Sequence, residues 1–94
     1  MAYATVSSWK TTEWTDELEA IARDKFVPLI LSVGATGVQM VRTGDHSFSV
    51  VTHYADEAAA MAAQEKITQI RATATQELPM TMDTATGGAV FASG

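Results

Sequence analysis

The sequence contains no cysteine. Disulfides, thiolate nucleophiles and cysteine-based metal sites are therefore excluded together. Basic charge is scarce: six Lys and Arg stand against eleven Asp and Glu, a net charge of −5. That balance leaves no basic surface to grip nucleic acid or an anionic membrane, so neither is an expected partner. No apolar run approaches the ~18 residues a membrane span requires. Met1-Ala2-Tyr3-Ala4 has neither the basic flank nor the apolar core of a secretory signal, so the chain is expected to stay in the cytoplasm. His46 and His53 are the only histidines, and no third ligand sits at metal spacing, so no metal site is expected. Gly34-Ala35-Thr36-Gly37 follows a helical pattern and enters a strand, the reverse of what a phosphate loop needs. No Ser-His-Asp motif is recognisable either, and no cofactor is expected.

What is present is an ordinary globular composition. Hydrophobic residues make up 47 % of the chain, enough to exclude disorder as the default. The 94 residues form one domain, 1–94. A chain of this length buries only about 60–65 % of its unfolded surface, so a partner surface would help it.

The clearest pattern is Val38 to Tyr54, two β-branched alternating runs joined by Thr43-Gly44-Asp45-His46. Gly44-Asp45 is the expected two-residue hairpin loop, since Gly takes the positive φ a primed turn needs. That register pairs Thr43 with His46, Val41 with Phe48 and Gln39 with Val50. One face then carries Gln39, Val41, Phe48, Val50, Thr52 and Tyr54; the other carries Val38, Met40, Arg42, Ser47, Ser49, Val51 and His53. A slip of one residue exchanges such sets, and the sequence leaves open which face meets the helices.

Elements flank the hairpin symmetrically. Ala2–Lys10 alternates and reads as a first strand. Thr15 is a candidate N-cap with Asp16 and Glu17 in the first turn. Leu18, Ile21, Ala22, Phe26, Leu29, Ile30 and Val33 then recur at helical spacing, with a kink or break expected at Pro28 and an end at Gly34. Asp56 caps a second helix running to about Thr73. Ala60, Ala63, Ile67, Ile70 and Ala74 form its buried stripe, with Glu65 and Arg71 outside it. Met80 to Asp83 reads as an extended arm or short strand, Thr84–Gly88 as a flexible turn, and Gly88–Ala92 as the last strand.

The order strand, helix, strand, strand, helix, strand defines an α+β fold. It is a ferredoxin-like βαββαβ arrangement, a four-stranded antiparallel sheet with two helices on one face. Tyr3, Trp9, Met40, Phe48, Val50, Val51, Tyr54, Val90 and Phe91 look too many for two helices to cover. An apolar open face predicts a partner, and a second copy packed sheet against sheet is the simplest one.

Element order, the helix end Val33-Gly34-Ala35, the hairpin and the run Tyr54-Ala55-Asp56-Glu57-Ala58-Ala59 together resemble the dimeric α/β-barrel superfamily. The likeness is strongest to antibiotic-biosynthesis-monooxygenase-type domains and their stress-responsive relatives. It covers essentially the whole chain through loose motifs that many chemistries share. It implies a homodimeric barrel with a cleft beside the sheet. Some members oxidise polyketides using the substrate's own reactivity, some bind haem, and some have no known activity. Tyr54 falls where many members carry a pocket-lining Trp. Ala59–Ala63 lacks the His that many relatives carry on the second helix.

The candidate pocket residues are Trp9, Arg42, Phe48, His53 and Tyr54. Trp9 and Trp14 bracket the first strand-to-helix loop and suit a flat apolar ligand, a dimer interface or the core. Arg42 is the one cation of the hairpin, either a clamp for a carboxylate or enolate oxygen or an exposed strand-end Arg. His53 lies at a strand end with a hydrogen-bonding or pocket role, and His46 reads as a solvated turn residue. Two functions follow. One is binding or cofactor-independent transformation of a small aromatic or apolar molecule by a homodimer; the alternative is a non-enzymatic dimerisation or interaction module.

Overall fold

The computed structural model describes all 94 residues. Four strands, β1 (Tyr3–Thr11), β2 (Gly37–Gly44), β3 (Ser47–Tyr54) and β4 (Met80–Ala89), form one sheet in the order β2-β3-β1-β4. Every neighbouring pair is antiparallel. Helices α1 (Asp16–Ile21), α2 (Val27–Ser32) and α3 (Glu57–Glu77) lie on one face. This is the ferredoxin-like arrangement expected from the element order. No helix is long and apolar enough to cross a membrane.

Local chemistry sets the helix ends. The Thr15 hydroxyl accepts the Leu18 amide at 3.0 Å, and Asp16, Glu17 and Glu19 place negative charge at the positive end of α1. Asp56 caps α3 by accepting the Ala59 amide at 2.8 Å. Pro28 does not end the first helical segment. A π-helical turn, Ala22–Phe26, joins α1 to α2, and the Val27 amide reaches back to the Ala22 carbonyl. Pro28 has no N–H and crowds the carbonyl four residues earlier. The wider turn immediately before it accommodates that misfit and lets the helix continue. At Gly34 the backbone turns to φ 110°, a conformation a side chain disfavours, and the segment stops.

The hairpin register differs from the sequence expectation. Gly44 pairs with Ser47, so Asp45 and His46 form the two-residue loop, and an irregularity at Thr43 shifts the rest of β2 by one. Arg42 therefore pairs with Phe48, Met40 with Val50 and Val38 with Thr52. The faces become Val38, Met40 and Arg42 beside Phe48, Val50, Thr52 and Tyr54, against Gln39 and Val41 beside Ser49, Val51 and His53. The extra residue in one strand changes the pairing without disturbing the alternation within either strand.

The C-terminal segment is also different. Thr84–Gly88 is no turn: Met80–Ala89 is one continuous strand along β1, with a register shift opposite Ser8 and Trp9. A single bulge there absorbs the extra residue and keeps the backbone paired, where loose turn composition suggested a break. Past β4, the Val90 amide bonds the Ala2 carbonyl at 2.8 Å, and Phe91 lies almost wholly in solvent.

The core lies between the sheet and the helices. Trp9, Leu18, Phe26, Ile30, Phe48, Val50, Ala74 and Met80 form the main cluster. Tyr54, Ala60 and Ala63 form a second cluster where the small residues of α3 sit close to the sheet. Six of the apolar residues expected to overfill this layer, Tyr3, Trp9, Met40, Phe48, Val50 and Tyr54, all lie on the helix-covered face. The strand alternation puts them there together. The open face instead carries Ser8, Ser49, Thr84 and Thr86 around a small patch of Val6, Val41 and Val51.

Candidate functional site

The helices do not fill the space above the sheet. A narrow chamber of about 60 Å³, open at its mouth, lies between the two layers and is lined by fifteen residues, twelve of them hydrophobic. That is below the ~300–1,000 Å³ typical of small-molecule pockets; the cleft outside it, about 360 Å³, falls within that range. Trp9, Met40, Phe48 and Val50 form its floor, and Phe26, Ile30, Ile67, Ile70 and Ala74 its roof. Only Ser7, Thr52 and Arg71 bring polar side chains to it.

An aromatic series leads inward from the surface. Arg42 stacks over the Trp14 ring, its Cζ 4.3 Å from the ring centroid. Its Nε and one terminal amine donate to the carbonyls of Gly44 and Asp45, both at 3.1 Å. Trp14 meets Phe48 edge-on at 5.9 Å and donates its indole N–H to the Glu19 carboxylate at 2.7 Å. Phe48 stacks on Trp9 with centroids 6.1 Å apart. Trp9 closes the series by donating its indole N–H to the Ser7 hydroxyl at 2.8 Å. Trp14, Arg42, Glu19 and Arg23 border an outer cleft that shares Ala22, Met40, Phe48 and Met80 with the chamber.

A second opening lies at the other end of the sheet. Tyr3, Thr5, Tyr54, Gln64, Arg71 and Gly87 line it. Gly87 matters sterically: a Cβ there would stand 2.8 Å from the Tyr3 hydroxyl oxygen and 3.1 Å from the ring. The missing side chain makes room for the Tyr3 ring against β4. Arg71 borders both this recess and the chamber, so it divides them. Burial pushes the Tyr54 phenol above its ordinary value, opposed by the positive charge of Arg71. Burial lowers the Arg71 guanidinium below its ordinary value, and the neighbouring Tyr54 opposes that shift in turn.

Three of the five sequence candidates, Trp9, Phe48 and Arg42, fall in one series, and Tyr54 and His53 lie apart from it. Trp9 and Phe48 line the chamber, Arg42 stands at its outer mouth, and Tyr54 borders the far recess. His53 alternates with Tyr54 along β3 and stands on the open face, away from all three cavities. His46 is exposed in the turn. Arg71 was expected on the solvent side of α3 and is instead half-buried over the sheet. Its position was legible, because it falls four residues after Ile67 and three before Ala74, inside the buried stripe. Its charge argued the other way.

The arrangement defines a ferredoxin-like α+β domain with an aromatic chamber between sheet and helices. No family model matches the chain, and no curated protein matches it in sequence. Solved structures do share the fold. SnoaB, a cofactor-independent oxygenase from Streptomyces nogalater, aligns with a TM-score of 0.73 at 15 % identity over 98 % of this chain and 95 % of its own. A protein of unknown function from Nitrosomonas europaea aligns at 0.70 and 18 % identity, over 99 % and 92 %. A dimeric ferredoxin-like protein from an uncultured marine organism aligns at 0.63 and 14 % identity, over 98 % and 97 %. The chain is similar to these proteins in fold along nearly its whole length.

Proposed function

We propose that this protein binds a small, aromatic or apolar molecule in a pocket beside the sheet, formed by the outer cleft and the apolar chamber it opens onto. Any catalysis there would be monooxygenase-like and independent of a cofactor. The observation carrying this reading is the outer cleft of about 360 Å³, walled by Trp14, Arg42, Met40 and Phe48, with the apolar chamber behind it. An aromatic-walled site orients a flat molecule and suits a substrate that supplies its own reactivity. The similarity in fold to a cofactor-independent oxygenase supports the same class.

We further propose that the protein works as a homodimer through its open sheet face. Val6 and Val51 stand directly opposite each other there, and Val6 and Val41 are both exposed. A structural neighbour is described as dimeric. A stable monomer in sedimentation at micromolar concentration would overturn this reading.

The pocket reading is tested by titrating the protein with planar phenolic and quinoid compounds, following tryptophan fluorescence and thermal stability. Binding is expected to quench Trp9 and raise Tm. If no compound of either class does so, the pocket reading is wrong, and the protein is better described as a dimerisation module.

A further inference from the structure

The chamber and the cleft outside it differ in what they can hold. The cleft has about 360 Å³ and the chamber about 60 Å³. A benzene ring sits in an apolar cavity of about 150 Å³, so the chamber is too small even for one ring. It has room for roughly two molecules the size of water, each of which takes about 30 Å³ in the liquid. Its walls decide which small molecule that is.

Twelve of the fifteen lining residues are hydrophobic. Trp9, Phe48, Met40 and Met80 contribute aromatic and thioether surface, which is polarisable. Water gains little there. An ordered interior water makes about three hydrogen bonds to polar groups that otherwise lack partners. No side-chain nitrogen or oxygen of this protein is buried without a partner, and the Trp9 indole is already bonded to Ser7. Thr52 pairs with Thr5, four residues along β1 from Trp9, and Arg71 also lines the far recess. The polar end of the chamber therefore points away from the cleft.

The other end is a neck. Ala22, Met40, Phe48 and Met80 line both chamber and cleft, and none of the four is charged. Whatever the chamber holds meets the cleft beside the Phe48 ring. An apolar space that offers water no partners stays dry and accepts apolar species such as xenon. Dioxygen has the same character: it has no dipole, no hydrogen-bonding group and a size close to that of water.

We propose that the chamber is a binding site for dioxygen, kept dry behind the cleft and opening through the neck onto a molecule bound there. This rests on the pocket reading above and divides that pocket in two: the cleft takes the organic molecule and the chamber takes the gas. No bond forms or breaks in the chamber itself.

Xenon and dioxygen test it without any organic ligand. The protein, with isotope-labelled methyl groups, is titrated with each gas under pressure and followed by NMR. Xenon should shift the methyl signals of Ile30, Val50, Ile70 and Met80 along a saturating curve. Dioxygen is paramagnetic and should broaden the same signals several times more than the exposed methyls of Leu31 and Val41. Ala74→Val places two methyl groups in the roof and should abolish both effects. Val50→Ile fills less of the space and should weaken them; it serves where overpacking keeps Ala74→Val from folding. Effects no larger at the chamber methyls than at the exposed ones, or effects that persist unchanged in a folded filled variant, overturn the proposal. The titration with aromatic compounds decides the pocket reading separately. Aromatic binding without a gas signal leaves that reading standing and removes this one. A gas signal without aromatic binding overturns the role of the chamber beside a bound substrate.

Discussion

The indole N–H of Trp9 donates to the hydroxyl of Ser7, two residues back on the same strand face, at 2.8 Å, with both residues buried. A Trp facing an apolar chamber needs such a partner, because a buried donor without one is costly. Ser7→Ala should therefore destabilise the fold by about 1–3 kcal/mol, the penalty for an orphaned buried polar group. Urea unfolding measures it. A change near zero would mean that water in the chamber replaces the hydroxyl.

Gly87 and Tyr3 are a steric pair. The Cβ of an alanine at position 87 would meet the Tyr3 hydroxyl, the Tyr3 ring and, at 3.3 Å, the Thr5 methyl. Gly87→Ala is expected to cost about 1–3 kcal/mol through overpacking. Adding Tyr3→Phe, which removes the closest atom, should recover part of that loss in a double-mutant cycle. Simple additivity would show that Tyr3 moves aside freely.

Tyr54 makes stability depend on alkaline pH. Its phenol is raised in the folded state by burial, so the folded chain holds that proton more firmly than the unfolded chain. The resulting stabilisation is complete below the unfolded value of about 10 and is lost as pH rises through the higher folded value. Tyr54→Phe should flatten this part of the stability profile. Denaturant midpoints of both proteins across that window test it, and parallel profiles would contradict it.

Arg42 and Trp14 hold the outer mouth together by stacking rather than by an ion pair. Arg42→Ala should change the emission of Trp14 while costing at most about 1 kcal/mol of stability, the range for an exposed cation–π contact. Arg42→Lys should not restore the emission fully, since an ammonium lacks the planar fork that also bonds the turn carbonyls. Unchanged emission in Arg42→Ala would show that the pair does not persist in solution.

Local chemistry alone determined much of this protein. Thr15, Asp56 and Gly34 act where their side chains or backbone freedom say they must, because caps and glycine turns depend on a few neighbouring atoms. The alternation of β1 and β3 and the helical spacing of α3 were legible for the same reason, and with them the ferredoxin-like order of elements. Pairing was not legible. One extra residue at Thr43 moved the hairpin register, and another near Asp83 kept β4 continuous; neither leaves a mark in the composition of a single strand. The alternation leaves two candidate faces, and only packing of the helices against one of them decides which becomes core. That decision set Tyr54 inward and His53 outward. It also turned Arg71, a residue whose charge argues for solvent, toward the chamber, because a charged head on a long stem follows the helical stripe that the apolar residues beside it have to bury.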